Sequence, residues 1–240
     1  MRLLQRDNAS NYTVTADLRA DGIPPYAILS HTWGTDEVIY NDVKTTPNDW
    51  HKKDGYAKIK FCADQAQRHG LQHFWVGSCC IDKSDAIERQ TAINSMFKWY
   101  RGAQRCYVFL SDVSCLSTSC SATSSQQPGV ALWDAAFRGS RWFTRGWTLQ
   151  ELIAPQIIEF YSRKGVFFGD KRSLEAVIRD VTGIPARALR NIPLFHFTTL
   201  EREAWCDGPG TNRGFHSIAE TGISSKRHDN PRERTTFDQL

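Results

Sequence analysis

Short apolar runs recur along this chain, and the first three empty into polar loops. They are Tyr26-Ala-Ile-Leu-Ser30, His73-Phe-Trp-Val76, Arg105-Cys-Tyr-Val-Phe-Leu110 and Ile157-Ile-Glu-Phe-Tyr161. Each is too short for a core helix and rich in aromatic or β-branched residues, so each reads as a buried strand. Val166-Phe-Phe168 reads as a shorter fifth strand. Between the runs the apolar period changes. Ile59, Cys62, Ala63 and Ala66 recur at helical spacing up to Gly70, and Ile93, Met96, Phe97 and Tyr100 do so up to Gly102. Ser84 or Asp85 can cap this second helix, with Glu88 in its first turn. Ala131 to Phe137 reads as a helical turn, and Asp170 to Thr182 as an amphipathic segment. Strands that alternate with helices predict an α/β fold: three layers, with a mostly parallel central sheet and helices on both faces. A sheet of that kind takes its ligands beyond the carboxyl ends of its strands, where the strand order reverses.

The remaining stretches read as connections. Residues 1 to about 24 form a polar lead-in to Pro24-Pro25, residues 35–53 read as loop, and the Ser-rich segment 111–129 as a long exposed loop. The apolar signal collapses near residue 200. This predicts a domain over residues 1–200 and a divergent, weakly ordered tail over residues 201–240. At 240 residues, 40% of them hydrophobic, the chain can bury one sizeable core. Its net charge of +4 is spread among 26 acidic residues, which argues against nucleic acid as a partner. No apolar run approaches the roughly 20 residues that span a bilayer. The first residues are too polar for a signal peptide, so a cytoplasmic location is expected. The seven cysteines then read as reduced thiols, and without a C-x-x-C pair they suggest no metal site.

The stretch that concentrates chemistry is Arg145-Gly-Trp-Thr-Leu-Gln-Glu-Leu-Ile-Ala-Pro155. Trp147 and Glu151 stand four apart and share one face of a helix that Gly146 starts from an unusual backbone angle and Pro155 stops. A carboxylate beside an indole suits a binding or reaction site. A Trp wedged in the core and a Glu paired with Arg145 at the surface suits the same residues. His31 reads as a structural histidine or an acid–base group, and Asp82 as a loop cap or a ligand contact. Cys79 and Cys80 read as small buried groups or as nucleophiles.

Three segments together resemble the signature blocks of the fungal heterokaryon incompatibility (HET) domain: Tyr26-Ala-Ile-Leu-Ser-His-Thr-Trp-Gly34, Trp75-Val-Gly-Ser-Cys-Cys-Ile-Asp-Lys83, and the Arg145–Pro155 stretch. The resemblance covers about residues 1–195. It implies a role in fungal non-self recognition that ends in programmed cell death, and recognition or NLR-type proteins as partners. The same order of blocks is similar, more remotely, to the Toll/interleukin-1 receptor (TIR) fold, which implies a TIR/flavodoxin-like layout. In the enzymatic members of that fold a W-x-x-x-E helix holds the glutamate that serves NAD cleavage, and Trp147-Thr-Leu-Gln-Glu151 has that form. Two features depart from the HET pattern. Gly77 stands where the second block usually has Asp, and residues 206–240 do not resemble the usual continuation.

NAD cleavage asks little of a protein. The leaving nicotinamide needs no general acid, and one carboxylate can stabilise the sugar oxocarbenium ion. The resemblance therefore implies Glu151 as the catalytic residue, no cofactor, and NAD or a related nucleotide as substrate. Ser30, His31, Trp33, Gly34, Asp82, Lys83, Arg145 and Trp147 are the expected substrate-binding residues. Trp147 or Trp33 would wall a ring, and Arg145 or Lys83 would meet the diphosphate. Two other classes fit the same residues: a non-catalytic adaptor that self-associates into a homo-oligomer, and a degenerate copy inactivated at Gly77.

Overall fold

The computed structural model describes residues 1–7, 11–18, 22–45, 49–114 and 128–205. They form an α/β fold around one seven-stranded sheet. Its strands are β1 (Leu4–Arg6), β2 (Tyr12–Val14), β3 (Tyr26–His31), β4 (His73–Val76), β5 (Arg105–Leu110), β6 (Ile158–Ser162) and β7 (Phe167–Asp170), in the order β2-β1-β4-β3-β5-β6-β7. The helices are α1 (Tyr40–Thr45), α2 (Tyr56–Arg68), α3 (Ala86–Gly102), α4 (Pro128–Arg138), α5 (Thr148–Ile153), α6 (Glu175–Thr182), α7 (Ala186–Leu189) and α8 (Thr199–Ala204).

The four long apolar runs pair in parallel at the centre, β4 with β3, β3 with β5, and β5 with β6. All six residues of β3 are buried, as are five of six in β5. A strand covered on both faces has no polar side to alternate with, and that is why these segments read as unbroken apolar runs. The edges are antiparallel. β1 pairs with β4 and β2, and β7 pairs with β6 through an irregular register at Phe160/Tyr161. The sheet is therefore mixed, whereas the alternation of strands and helices predicted a mostly parallel one. Of the antiparallel strands, β7 overlaps the short run read at Val166–Phe168, whereas β1 and β2 come from a polar lead-in whose three-residue strands are too short to signal themselves.

Two stretches expected to be irregular are ordered. The polar lead-in contributes β1 and β2, where Leu3, Leu4 and Tyr12 turn inward and Arg2 donates to Glu88 on α3 at 2.9 Å. The 35–53 stretch holds α1 and a 3₁₀ turn at Trp50–Lys52, with Trp50 fully buried. The turn expected at 131–137 extends to the eleven residues of α4. At the other end, Trp205 is buried against Phe197, with ring centroids 5.1 Å apart. Residues 115–127 of the Ser-rich loop and residues 206–240 of the tail lie outside the described residues. No helix among the described residues is long and apolar enough to cross a membrane.

Helix ends follow local chemistry. Gly70, with φ 73°, sits just past α2 in the left-handed region, and the Leu71 N–H closes back on the Ala66 carbonyl at 2.9 Å. At the start of α3 the Asp85 carboxylate accepts from the N–H groups of Ile87 and Glu88 at 2.9 and 3.1 Å. Replacing Asp85 by Ala removes this cap and should cost about 1 kcal/mol. Asp85→Asn should stay near wild type. Urea melts of the two variants check this, and equal loss in both would exclude the capping role.

Candidate functional site

The chain enters the parallel sheet at β3, then places β4 on one side of it and β5 on the other. The connection leaving β3 runs to β4 and the one leaving β5 runs to β6, in opposite directions across the sheet, and a crevice opens beyond the carboxyl end of β3. A cavity of about 250 Å³ lies there. Leu29 and His31 of β3, and Trp75 and Gly77 at the end of β4, form one part of its lining. Met96 and Tyr100, four apart on α3, form another. Trp33, Lys83, Arg145, Trp147 and Glu151 complete it.

Glu151 lies on α5, all six of whose residues are buried. Trp147 precedes the helix at its N-cap, and Pro155 follows just beyond its end. Gly146 does not adopt a left-handed angle, so the expected special start is absent; a turn from Arg145 leads into the helix instead. Glu151 is 7% exposed, which rules out the surface ion pair that its sequence context allowed. Its Oε2 accepts from the Ser30 hydroxyl at 2.5 Å. The Ser30 oxygen in turn accepts from the indole N–H of Trp142 at 2.7 Å. Arg145 lies 3.9 Å from the same Glu151 oxygen and donates to the His31 carbonyl at 2.6 Å. The carboxylate therefore sits inside the fold, oriented by one hydroxyl and balanced by one guanidinium. Burial and the Glu151 charge together push the Tyr100 phenol well above its ordinary range.

A second buried charge cluster flanks the cavity. Lys58 bonds to Glu37 and donates to the Thr32 carbonyl at 3.0 Å. The Gly34 N–H donates to Glu37 at 2.6 Å. Burial opposes ionisation of Glu37, yet His31, the Gly34 N–H and Lys58 outweigh it and hold the carboxyl down to about 2. His31 is buried, and its Nε2 lies 3.7 Å from Glu37 without a hydrogen bond. Burial lowers its pKa, against the opposing pull of Glu37. Lys83 places its ammonium 3.2 Å above the centre of the Trp33 ring. Burial lowers its pKa to about 8, although Cys79 and Glu37 pull the other way.

Of the nine residues expected from sequence, six line the cavity: His31, Trp33, Lys83, Arg145, Trp147 and Glu151. Ser30 is fully buried behind it, with its hydroxyl committed to Glu151 and Trp142. Gly34 supports Glu37 rather than the lining. Asp82 lies outside the lining, and its carboxylate accepts from the N–H and hydroxyl of Ser84 at 3.0 and 2.5 Å, as a loop cap does. Cys79 is fully buried, and burial raises its thiol pKa well above the ordinary range, which fits a packing role. Sequence reasoning missed Trp75, Met96 and Tyr100 as lining residues and Trp142 as the partner of Ser30. Trp75 stood at the head of the second signature block, two residues before Gly77.

Two measurements probe this arrangement. Ser30→Ala removes the acceptor of the Trp142 N–H and the hydroxyl donor to Glu151, at an expected cost of about 1–3 kcal/mol in urea unfolding. Glu37 ionises in the folded state at lower pH than its ordinary 4.5, so its stabilisation is present above about pH 4.5 and fades as pH falls toward 2. Glu37→Gln should flatten that acid limb of the stability profile, and an unchanged limb would remove Glu37 as its source.

Comparison with known proteins gives the family of the chain. No solved structure matches the chain. A vegetative incompatibility protein of Podospora anserina, HET-E-1, is 53% identical over 215 residues, which is 89% of this chain. The chain spans about 15% of the length of that relative. Residues 26–151 match the model of the heterokaryon incompatibility protein (HET) family. That match runs from the first residue of β3 to Glu151 and takes in just over half of the sequence, so the chain belongs to the heterokaryon incompatibility family.

Proposed function

We propose that this chain acts in fungal heterokaryon incompatibility by cleaving NAD, or a related nucleotide, at the bond between nicotinamide and ribose. The observation that carries the reading is the Glu151 carboxylate, which is buried, fixed by Ser30 and present in the lining of a cavity beyond the carboxyl ends of parallel strands. In the reaction the C1′–N bond breaks, nicotinamide leaves with the bonding pair, and water adds to the sugar cation to give ADP-ribose and a proton. Glu151 stabilises the cation electrostatically. Its orientation is set before substrate arrives, because Ser30 and Trp142 are themselves buried and hydrogen-bonded. Trp33 and Trp147 supply flat walls for a ring, and Arg145 and Lys83 supply positive charge.

A three-layer, TIR/flavodoxin-like arrangement belongs to the same reading. Counted among themselves in chain order, the four parallel strands run 2-1-3-4, the beginning of the 2-1-3-4-5 order of flavodoxin-like sheets. The second reading is a non-catalytic adaptor that self-associates, or that docks on recognition or NLR-type proteins, to signal death. The same network favours it from the other side. Glu151 ties α5 to β3, so it has a structural role whether or not it reacts.

Nicotinamide release from NAD by the purified, oligomerised chain separates the two. Glu151→Gln preserves the shape and one acceptor. In an enzyme it should lower release by a factor on the order of 100 or more while the thermal melt stays cooperative. A folded Glu151→Gln protein that still kills fungal cells would establish the adaptor.

A further inference from the structure

Among the described residues, three atoms of the cavity lining are buried without a hydrogen-bond partner: Nε2 of His31, which has Glu37 3.7 Å away, the indole N–H of Trp75 and the ammonium of Lys83. Trp75 and Lys83 are obligate donors while Lys83 is charged, whereas the His31 nitrogen can donate or accept. Trp75 is 2% exposed, so its N–H cannot turn to water. Lys83 rests on the Trp33 face, which offers a quadrupole but no acceptor atom. The two other cations near the cavity are already committed. Arg145 donates to the His31 carbonyl beside Glu151, and Lys58 is bonded to Glu37. A buried charge and a buried N–H without acceptors are both costly, and an occupant that brings anionic oxygens offsets both costs together.

Gly77 explains why the protein supplies no such oxygen itself. It lines the same cavity between Trp75 and Lys83 in sequence. A Cβ at this position would lie 3.0 Å from the outer edge of the Trp75 indole. An Asp here would press on that ring and bring an internal carboxylate beside the cavity. With Gly77 the space stays open and the ammonium is left without an internal carboxylate partner.

We propose that Trp75 and Lys83 form an oxyanion subsite opened by Gly77, which takes a phosphoryl group of the nucleotide whose ribose faces Glu151. The proposal rests on the reading of the cavity as a nucleotide site and adds to it the residues that hold the phosphate. The cavity volume fits this division of labour. At about 250 Å³ it lies below the roughly 300–1,000 Å³ of pockets that enclose a drug-sized ligand, so it holds one part of a nucleotide while the remainder lies over the rim.

Titration calorimetry with ADP-ribose, which has the ribose and diphosphate but no bond to cleave, tests the subsite apart from catalysis. Nicotinamide riboside, which lacks phosphate, serves as the control. ADP-ribose should bind the 240-residue chain. Lys83→Gln should weaken it roughly ten- to a hundredfold, the worth of one charge-assisted hydrogen bond, and Trp75→Phe roughly fivefold. Lys83→Arg should recover most of the affinity. Gly77→Asp should weaken ADP-ribose at least as much as Lys83→Gln does. Riboside binding should be indifferent to Lys83. Equal ADP-ribose affinity in wild type and a folded Lys83→Gln, or no binding of ADP-ribose to folded wild type at millimolar concentration, overturns the subsite. Lys83-dependent binding without nicotinamide release from NAD would keep the subsite and reject the cleavage reading alone.

Discussion

A carboxylate inside a protein is tolerated only where polar groups replace the water it gave up. Here the replacement is the hydrogen bond from Ser30 to Glu151, backed by Trp142 and balanced by Arg145. Ser30 and Glu151 are 121 residues apart, and Ser30 and Trp142 are 112 apart. Each partner is supplied by a different element: the last turn-facing residues of β3, the 3₁₀ turn at Arg141–Thr144, and α5. The network therefore fixes α5 against the centre of the sheet, and in doing so it brings a negative charge to the cavity lining.

The topology of the sheet supplies the rest of the site. Because β4 and β5 flank β3, the loops that leave β3 and β4 border one crevice, and α3 crosses beside it with Met96 and Tyr100. Next to that crevice the fold keeps a second buried pair, Glu37 with Lys58, saturated by Gly34 and Thr32. The contrast between the two charge groups is informative. Lys58 is fully answered from within the protein, whereas Lys83 is answered only by the face of Trp33. Buried donors that a fold leaves open are the places where a ligand changes the energy most.

Local signals were legible where one residue type had one physical use. The central strands could be read because burial on both faces demands continuous apolar runs. The Asp85 cap could be read because a short carboxylate ahead of a helix has a nearby pair of N–H groups to bind. β1 and β2 could not be read. Each has three residues with only its first buried, which is too short for a period to show. α1 has one buried residue, Val43, and so carries no apolar stripe.

Composition and spacing were enough to determine an α/β chain, to order its parallel strands along the sequence, and to nominate Glu151 beside Trp147. They could not separate Glu151 from Asp82, since both are single carboxylates close to a Trp, Lys or Arg. Only the packed structure did that, burying one beneath Ser30 and leaving the other to hold Ser84 at the surface. The same holds for Trp142 and Trp75, indoles that read alike as core until their N–H groups are followed. One finds an acceptor in Ser30, and the other finds none. The physical reason is range. Periodicity and capping act over a few neighbouring residues, whereas the cost of a buried charge or donor is decided by groups more than a hundred positions away.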